Sequence, residues 1–379
     1  MIYLDNSATT FPKPESVVKA VCDGVRFFSA NPGRSGHKLS LKTAEIVYNC
    51  RKKVADFFNL DDESKVVFTS GCTQSLNTVI KGVLKSGDHC VISCFEHNSV
   101  VRPLEKLKSK NISYSVAKVY PNDFDKTVDS FRNSINEKTR LIICTHASNV
   151  FGIRLPVERI CALAHNYGIL FCLDSAQSAG VLDIDMNKHN YDFVCCAGHK
   201  GLYGPMGIGL LLVNCDVLPD SLIEGGTGSE SENFLQPTFT PDKYESGTIN
   251  IPGICGIKKG IEVVSKKGTD SIFKSEMRLI KELYNGLYKI NGVKLYTDKP
   301  DLVHFAPVLS FSYKDKSSEE IASYLDKKFN IAVRAGLHCA PLAHKFMNTI
   351  DYGTVRISPS IFTTENEINR LLYAIKNYN

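Results

Sequence analysis

The 379-residue chain predicts an α/β protein: a large domain on a mostly parallel seven-stranded sheet, followed by a smaller α+β domain at the C-terminus. Three observations predict it. From residue 60 to about 215, short apolar runs alternate with longer amphipathic stretches, the pattern of buried strands joined by helices. The composition, 43% hydrophobic and 22% charged, is that of an ordinary globular protein and excludes disorder and collagen-like repeats. Beyond residue 255 the texture changes to short strands interspersed with capped helices.

In chain order, strands are expected over 65–69, 90–93, 113–119, 141–145, 169–174, 193–197 and 207–213, with helices between them that include 73–84 and 157–166. The stretch 225–247 is rich in Gly, Ser, Pro and Thr and reads as a surface loop, of a length that is usually functional in a compact protein. A helical region over 254–287 leads into strands at 293–297, 307–312, 331–334 and 354–357. Ser317-x-x-Glu320 and Thr364-x-x-Glu367 are capping boxes that start two further helices. The expected division is an N-terminal arm over 1–15 packing with the small domain, a large domain over 16–255 and a small domain over 256–379.

Composition also removes function classes. Forty-five basic against 40 acidic residues leave a net charge of +5, too mild and too spread to argue for nucleic acid. The start Met1-Ile2-Tyr3-Leu4-Asp5 has no basic n-region and no apolar h-region, so no signal peptide is expected. The aliphatic run Ile208-Gly209-Leu210-Leu211-Leu212-Val213 falls far short of a bilayer span, so no membrane association is expected. Thirteen cysteines, among them Cys144, Cys172, Cys195 and Cys196 in apolar stretches, form no Cys-x-x-Cys pair. They read as reduced thiols of a cytoplasmic protein, and no metal site is expected.

Ligands of parallel α/β sheets bind beyond the carboxyl ends of the strands. The polar residues there are Thr69-Ser70-Gly71-Cys72-Thr73, Glu96-His97-Asn98, His146-Ala147-Ser148-Asn149, Asp174-Ser175-Ala176-Gln177 and Gly198-His199-Lys200. Together they supply an anion cradle at a helix start, an imidazole, two amides, a carboxylate and an amine. A nucleotide reading fails: there is no G-x-x-x-x-G-K-[ST], and Gly204-x-x-Gly207-x-Gly209 has the wrong spacing and precedes a strand. A carboxylate at one strand end with a lysine 26 residues later is what pyridoxal phosphate needs, the amine for a Schiff base and the carboxylate for the pyridine nitrogen. Alone, Lys200 would read as a solvated turn lysine and Asp174 as a helix cap; the five clusters together favour the cofactor site.

At these residues the chain resembles a known family. Tyr3-Leu4-Asp5-Asn6-Ser7-Ala8-Thr9-Thr10, Gly71-Cys72-Thr73, Glu96-His97-Asn98, His146-Ala147-Ser148-Asn149, Asp174-Ser175-Ala176-Gln177, Gly198-His199-Lys200-Gly201-Leu202-Tyr203-Gly204-Pro205 and Arg334-Ala335-Gly336-Leu337-His338-Cys339 look like the cysteine desulfurases of class V, fold-type I pyridoxal-phosphate enzymes. The short Arg-x-Gly-x-His-Cys segment resembles the group II branch of Suf-type desulfurases and selenocysteine lyases. The resemblance implies Lys200 as the Schiff-base lysine, Asp174 as the pyridinium partner, Gln177 on the ring hydroxyl and Asn149 near the ring substituents. It implies that His97 stacks on the ring and assists proton transfer, and that Gly71, Cys72, Thr73 and His199 hold the phosphate. Thr248 would reach the phosphate of the other subunit of a homodimer, and Arg356 would clamp the substrate carboxylate. Ala8, Asn31, Arg34, His37 and Arg334 would line or rim the substrate site.

Cys339 would carry sulfur as a persulfide. It precedes Pro341 on a segment leaving a strand, and its basic neighbours Arg334, His338 and Arg356 favour thiolate over thiol. On composition alone it would be an inert buried thiol like the others. Three departures stand out: Ala197 where the family carries Ser, Cys72 where Thr is common, and Leu337 in place of a histidine. The reading is an enzyme that converts L-cysteine to L-alanine and passes the sulfur from Cys339 to an acceptor protein. Its alternatives are a selenocysteine lyase acting on L-selenocysteine, a class V aminotransferase that leaves Cys339 without a task, and a silent sulfur-carrier scaffold with no use for Lys200 and Asp174.

Overall fold

A computed structural model describes residues 1–32 and 36–378. In chain order its elements are β1 (Ile2–Tyr3), α1 (Glu15–Phe27), α2 (Lys38–Phe58), β2 (Val66–Thr69), α3 (Cys72–Val83), β3 (His89–Ser93), α4 (Asn98–Leu107), β4 (Ser113–Ala117), α5 (Phe124–Ser134), β5 (Thr139–Thr145), α6 (Val157–Asn166), β6 (Leu170–Asp174), α7 (Met186–His189), β7 (Phe193–Ala197) and β8 (Gly209–Val213). The remainder comprises α8 (Ile251–Lys267), α9 (Thr269–Leu287), β9 (Val293–Leu295), β10 (Leu309–Tyr313), α10 (Ser318–Phe329), β11 (Ile331–Ala332), α11 (Pro341–Phe346), β12 (Val355–Ile357) and α12 (Glu365–Lys376).

Seven strands form one sheet in the order β2-β8-β7-β6-β5-β3-β4. Its inner strands read as near-continuous apolar runs because both faces are covered, whereas the edge strand β4 is partly exposed. Val66, Val91, Ile142, Phe171 and Val194 enter one core with α2, α6 and α8. Their neighbours Val67, Ile92, Ile143, Cys172 and Phe193 enter the other, against α3 and α4. Successive side chains of a strand point to opposite faces, so each run feeds both cores. Only β8 runs against its neighbours β2 and β7. No helix separates β7 from β8, and a parallel return needs a crossover of a dozen or more residues.

The second sheet is antiparallel in the order β12-β10-β9, and β1 pairs in parallel with β11. Ile2 and Leu4 pack in a third core with Leu283, Phe311, Leu325 and Ile357. Two departures from the sequence reading are plain. The helical region over 254–287 is two helices, broken at Gly268 in a left-handed conformation (φ 80°) that favours glycine. The division after residue 255 falls inside α8, whose Ile254, Ile257 and Ile261 all belong to the large core. Both capping boxes form as read, at Ser317 with Glu320 and at Thr364 with Glu367. No helix among the described residues is long and apolar enough to cross a membrane.

Candidate active site

The carboxyl ends of β2, β3, β5, β6 and β7 converge on a cavity of about 360 Å³. Its lining includes Gly71, Cys72, Thr73, His97, Asn149, Asp174, Gln177, His199, Lys200, Arg334, Cys339 and Arg356, with Ala8 from the arm. Residues far apart in sequence meet there because a parallel sheet aims all its strand ends one way.

At the end of β2 the chain turns through Ser70 and Gly71 into α3. Gly71 O accepts from Gln74 N (3.0 Å) and Ser75 N (3.2 Å), whereas the N–H groups of Cys72 and Thr73 have no partner among the described residues. A helix start with free N–H groups facing a cavity is an anion site. Thr73 Oγ1 lies 2.8 Å from Ser99 Oγ, and Ser99 N donates to His97 Nδ1 at 3.0 Å. That bond caps α4 and assigns the proton of the neutral imidazole to Nε2. Burial holds His97 down at about 4, so the ring is neutral near pH 7.

Asp174, at the end of β6, is buried. Its Oδ1 accepts from Ala176 N (2.9 Å) and lies 3.5 Å from the Cys72 thiol, which burial holds protonated. Lys200 follows β7, and burial lowers its pKa against the opposing pull of Asp174. Its Nζ has no hydrogen-bond partner among the described residues. Gln177 Nε2 donates to Ser7 O at 3.1 Å. His199 is pushed down to about 4 by burial and leaves Nδ1 buried without a partner. Its carbonyl receives four donors from the arm: Thr10 N (3.1 Å), Thr10 Oγ1 (3.1 Å), Thr9 Oγ1 (3.2 Å) and Lys13 Nζ (2.7 Å).

Two buried acids flank these groups. Glu96 Oε1 accepts from Ser93 Oγ (2.6 Å) and Thr145 N (2.8 Å), Oε2 has no partner, and burial pushes the carboxyl up to about 8. Glu276 of α9 is also pushed up to about 8 by burial, and it lines a separate cavity of about 30 Å³ with Ser7, Gln177 and Lys200. His146 is wholly buried, with both ring nitrogens unpartnered, and does not line the larger cavity.

The opposite wall comes from the segment between β11 and α11 and from β12. Cys339 is exposed and reaches the cavity with φ 57°. Its sulfur lies 3.9 Å from Arg334 Nη2, and its carbonyl accepts from Asn98 N at 2.7 Å. The basic trio expected around this sulfur reduces to Arg334. His338 is buried, with Nε2 3.1 Å from Thr354 O, and burial pushes its pKa down to about 2, so it carries no charge. Arg356 is 1% exposed and is paired with Asp5 (Nη2 to Oδ1, 2.6 Å), while Nη1 donates to Asn149 O at 2.9 Å.

Among the described residues, three expected at the site, Asn31, Thr248 and His37, are not brought here. Asn31 lines a second cavity with Tyr48, Arg51, Thr227 and Glu245. Thr248 is exposed and lines neither, and Arg34 lies outside the described residues. His37 caps α2 by accepting from Ser40 N at 3.2 Å. Sequence reasoning missed Ser99, although the His-x-Ser spacing at a helix start carries a capping signal, and it gave Asp5 no role of its own.

Comparison with known proteins agrees with this geometry. The family model for class-V aminotransferases matches residues 2–371. A probable cysteine desulfurase of Methanothermobacter thermautotrophicus is 33% identical, over 98% of this chain and 92% of its own length. One of Pyrococcus abyssi is 34% identical over the same shares. The structure of the apo cysteine desulfurase of Thermococcus onnurineus superposes with a TM-score of 0.90 at 30% identity, covering 99% of this chain and 94% of that one. The Escherichia coli cysteine desulfurase CsdA, in its S-sulfonic acid form, gives 0.87 at 25% identity, covering 98% and 93%. The chain belongs to the class-V aminotransferase family, and its relatives are cysteine desulfurases.

Proposed function

We propose that this protein is a pyridoxal-phosphate-dependent cysteine desulfurase, forming L-alanine from L-cysteine and keeping the sulfur on Cys339. One observation carries the reading: a desolvated amine, Lys200, and a buried carboxylate, Asp174, share one cavity with an accessible thiol. An aminotransferase needs only the first two.

The residues present fit the cofactor. The unpartnered N–H groups of Cys72 and Thr73, Thr73 Oγ1 and the orphaned His199 Nδ1 form a donor set for a phosphate. Asp174 would take the pyridine nitrogen, Gln177 the ring hydroxyl and Lys200 the aldehyde carbon. When bound, pyridoxal phosphate supplies an electron sink for charge developing on the substrate. Asn149 spans the two walls, its side-chain amide donating to His338 O at 2.7 Å and its carbonyl accepting from Arg356.

The chain's own groups then divide the work. Arg356 takes the substrate carboxylate, with Arg334 and Ala8 beside it. Burial favours the neutral amine of Lys200, which suits it to take the Cα proton. His97, neutral and with Nδ1 committed to Ser99, has Nε2 left to assist that transfer. The Cys339 sulfur attacks the substrate sulfur, and the guanidinium of Arg334 accompanies the negative charge. The sulfur–sulfur bond forms as the carbon–sulfur bond breaks. The electron pair of the broken bond stays on Cβ, which takes a proton to become the methyl of alanine. Cys339 is left as a persulfide for an acceptor thiol, carried by a partner protein that must reach into the cavity.

Assembly and compartment follow the same reading. Thr248, exposed and away from its own cavity, is free to complete the phosphate site of a second copy in a homodimer. Asn31 would rim the site from the same side. Thirteen free cysteines support a reducing, cytoplasmic setting.

The test supplies purified protein with L-cysteine or L-selenocysteine and a thiol reductant, and measures alanine. Alanine from cysteine, with sulfane sulfur recovered on Cys339, is expected. Alanine from selenocysteine alone would make the protein a selenocysteine lyase. Light scattering that shows a fully loaded monomer would remove the role of Thr248.

A further inference from the structure

Arg356 is the deepest charge of the cavity. It lies on β12, is 1% exposed and lines the cavity, and its Nε is buried without a partner. A guanidinium has five N–H donors. Among the described residues Asn149 O and Asp5 Oδ1 are its acceptors, so donor capacity remains for a ligand.

Its counter-charge is unusual in origin. Asp5 belongs to the arm and does not itself line the cavity. Its backbone is fixed from several sides: a bridge to Ser358, and bonds to its carbonyl from Ala8 N (3.1 Å) and the Tyr3 hydroxyl (3.2 Å). The carboxylate is therefore held against the guanidinium by the arm, whatever occupies the cavity. A ligand carboxylate reaching Arg356 would meet a guanidinium already bound to another carboxylate, and the two anions would repel across it.

We propose that Asp5 is a positioning residue of the carboxylate site, a resident carboxylate that shares the Arg356 guanidinium with the incoming amino acid and limits how tightly that ligand is held. This rests on the reading of Arg356 as the substrate-carboxylate residue. In the resting protein Asp5 keeps a buried cation neutralised and aimed. In the liganded protein it weakens the grip on substrate and product alike, which favours release of L-alanine after the sulfur has moved.

A purely structural Asp5 predicts weaker ligand binding when it is changed, and a resident counter-anion predicts the reverse. Asp5→Asn separates them, because the amide oxygen still accepts from Nη2 while the charge is gone. Sodium propionate and L-alanine are titrated into parent and Asp5→Asn protein, with cofactor loaded and stripped, at ionic strength matched with chloride, and binding is read by calorimetry and melting temperature. Both ligands should bind roughly thirty- to thousand-fold tighter to the variant, the size expected for removing one anion about 4–8 Å away at an effective dielectric near 20. The visible band of the loaded protein should not move, and KM for L-cysteine should fall while kcat does not rise. Asp5→Ser, a smaller neutral acceptor, should shift affinity in the same direction. Equal or weaker binding in whichever of the two variants folds overturns the proposal. Arg356→Gln, which should abolish the propionate signal, ties it to the guanidinium. If the parent makes no alanine yet Asp5→Asn still tightens propionate, the desulfurase reading fails and this inference stands.

Discussion

The two walls of the cavity are built on different principles. On the strand-end wall, burial sets the chemistry: Lys200 is driven toward its neutral amine, and His97 and His199 are held down at about 4. Each of these groups sits at a strand end or helix start of the large sheet. On the opposite wall the key atom is exposed, and backbone bonds set its place. His338 and Cys339 both take left-handed conformations (φ 50° and 57°), and Asn98 N and the Asn149 side chain hold their carbonyls at 2.7 Å each. Both of those donors belong to the strand-end wall. The thiol is thus located by the wall it faces, and damage to the first wall propagates to the second, while the reverse is not required.

The largest effect should come from the first wall. Lys200→Ala should lower alanine formation by roughly 10³-fold or more, within the range for losing a group that both binds and moves a proton. It should also lose the yellow colour that borohydride discharges; an undiminished borohydride-sensitive colour would mean that another lysine holds the cofactor. Next comes the second wall alone. Cys339→Ala should keep bound cofactor and its colour, yet lose alanine formation from cysteine by roughly 10²-fold or more. Selenocysteine cleavage should suffer far less, since selenium leaves without a nucleophile, and full cysteine activity would show the thiol to be structural.

A smaller change tests the fastening itself. Gly353 has φ 62°, and a Cβ there would lie 2.8 Å from Gly336 Cα and O, in the segment that carries Cys339. Gly353→Ala should cost about 1–3 kcal/mol of stability, measured by denaturant unfolding, and should slow cysteine turnover without moving the cofactor band. If turnover is unaffected, the segment is less dependent on this packing than its geometry implies.

The buried Glu276 and the imidazoles of the first wall pull stability in opposite directions with pH. Glu276, raised from 4.5 to about 8, stays protonated when folded and ionises when unfolded, so it subtracts stability as pH rises from 4.5 toward 8. His97 and His199, lowered from 6.5 to about 4, subtract stability as pH falls from 6.5 toward 4, because only the unfolded chain takes up the proton there. Glu276→Gln should therefore gain on the parent by about 1–3 kcal/mol between pH 5 and pH 8. A gap that does not widen with pH would show that Glu276 ionises freely in the folded protein.

Legibility in the sequence followed the same division. All seven strands of the large sheet lie where the sequence places them; in the inner strands burial on both faces leaves a direct mark on composition, and only the edge strand β4 is partly exposed. The direction of β8 left no such mark, because it depends on the length of a connection and not on the strand. Strand-end residues such as Asp174, His97 and Lys200 were visible from position. Cys339 was visible only through its basic neighbours and the family resemblance, and the charge expected on His338 disappears on burial against Thr354. The partnership of Asp5 with Arg356 joins residues 351 apart, which no local pattern can encode. Asn31 was placed from the family segment, and its cavity within one chain is a different one.

The carbonyl of His199 has two lone pairs and four donors within reach from Thr9, Thr10 and Lys13. Only some can bond well at once, so the others stand as spares. Thr9→Val or Lys13→Met alone should cost little, because a neighbouring donor moves into the vacated place. The pair together should cost more than the sum, by roughly 0.5–1 kcal/mol in a double-mutant cycle read from thermal unfolding. Strict additivity would mean that each donor holds its own share. With redundancy, the join between the arm and the residue before Lys200 tolerates sequence drift at any one of its fastenings, and fails only when several are lost together.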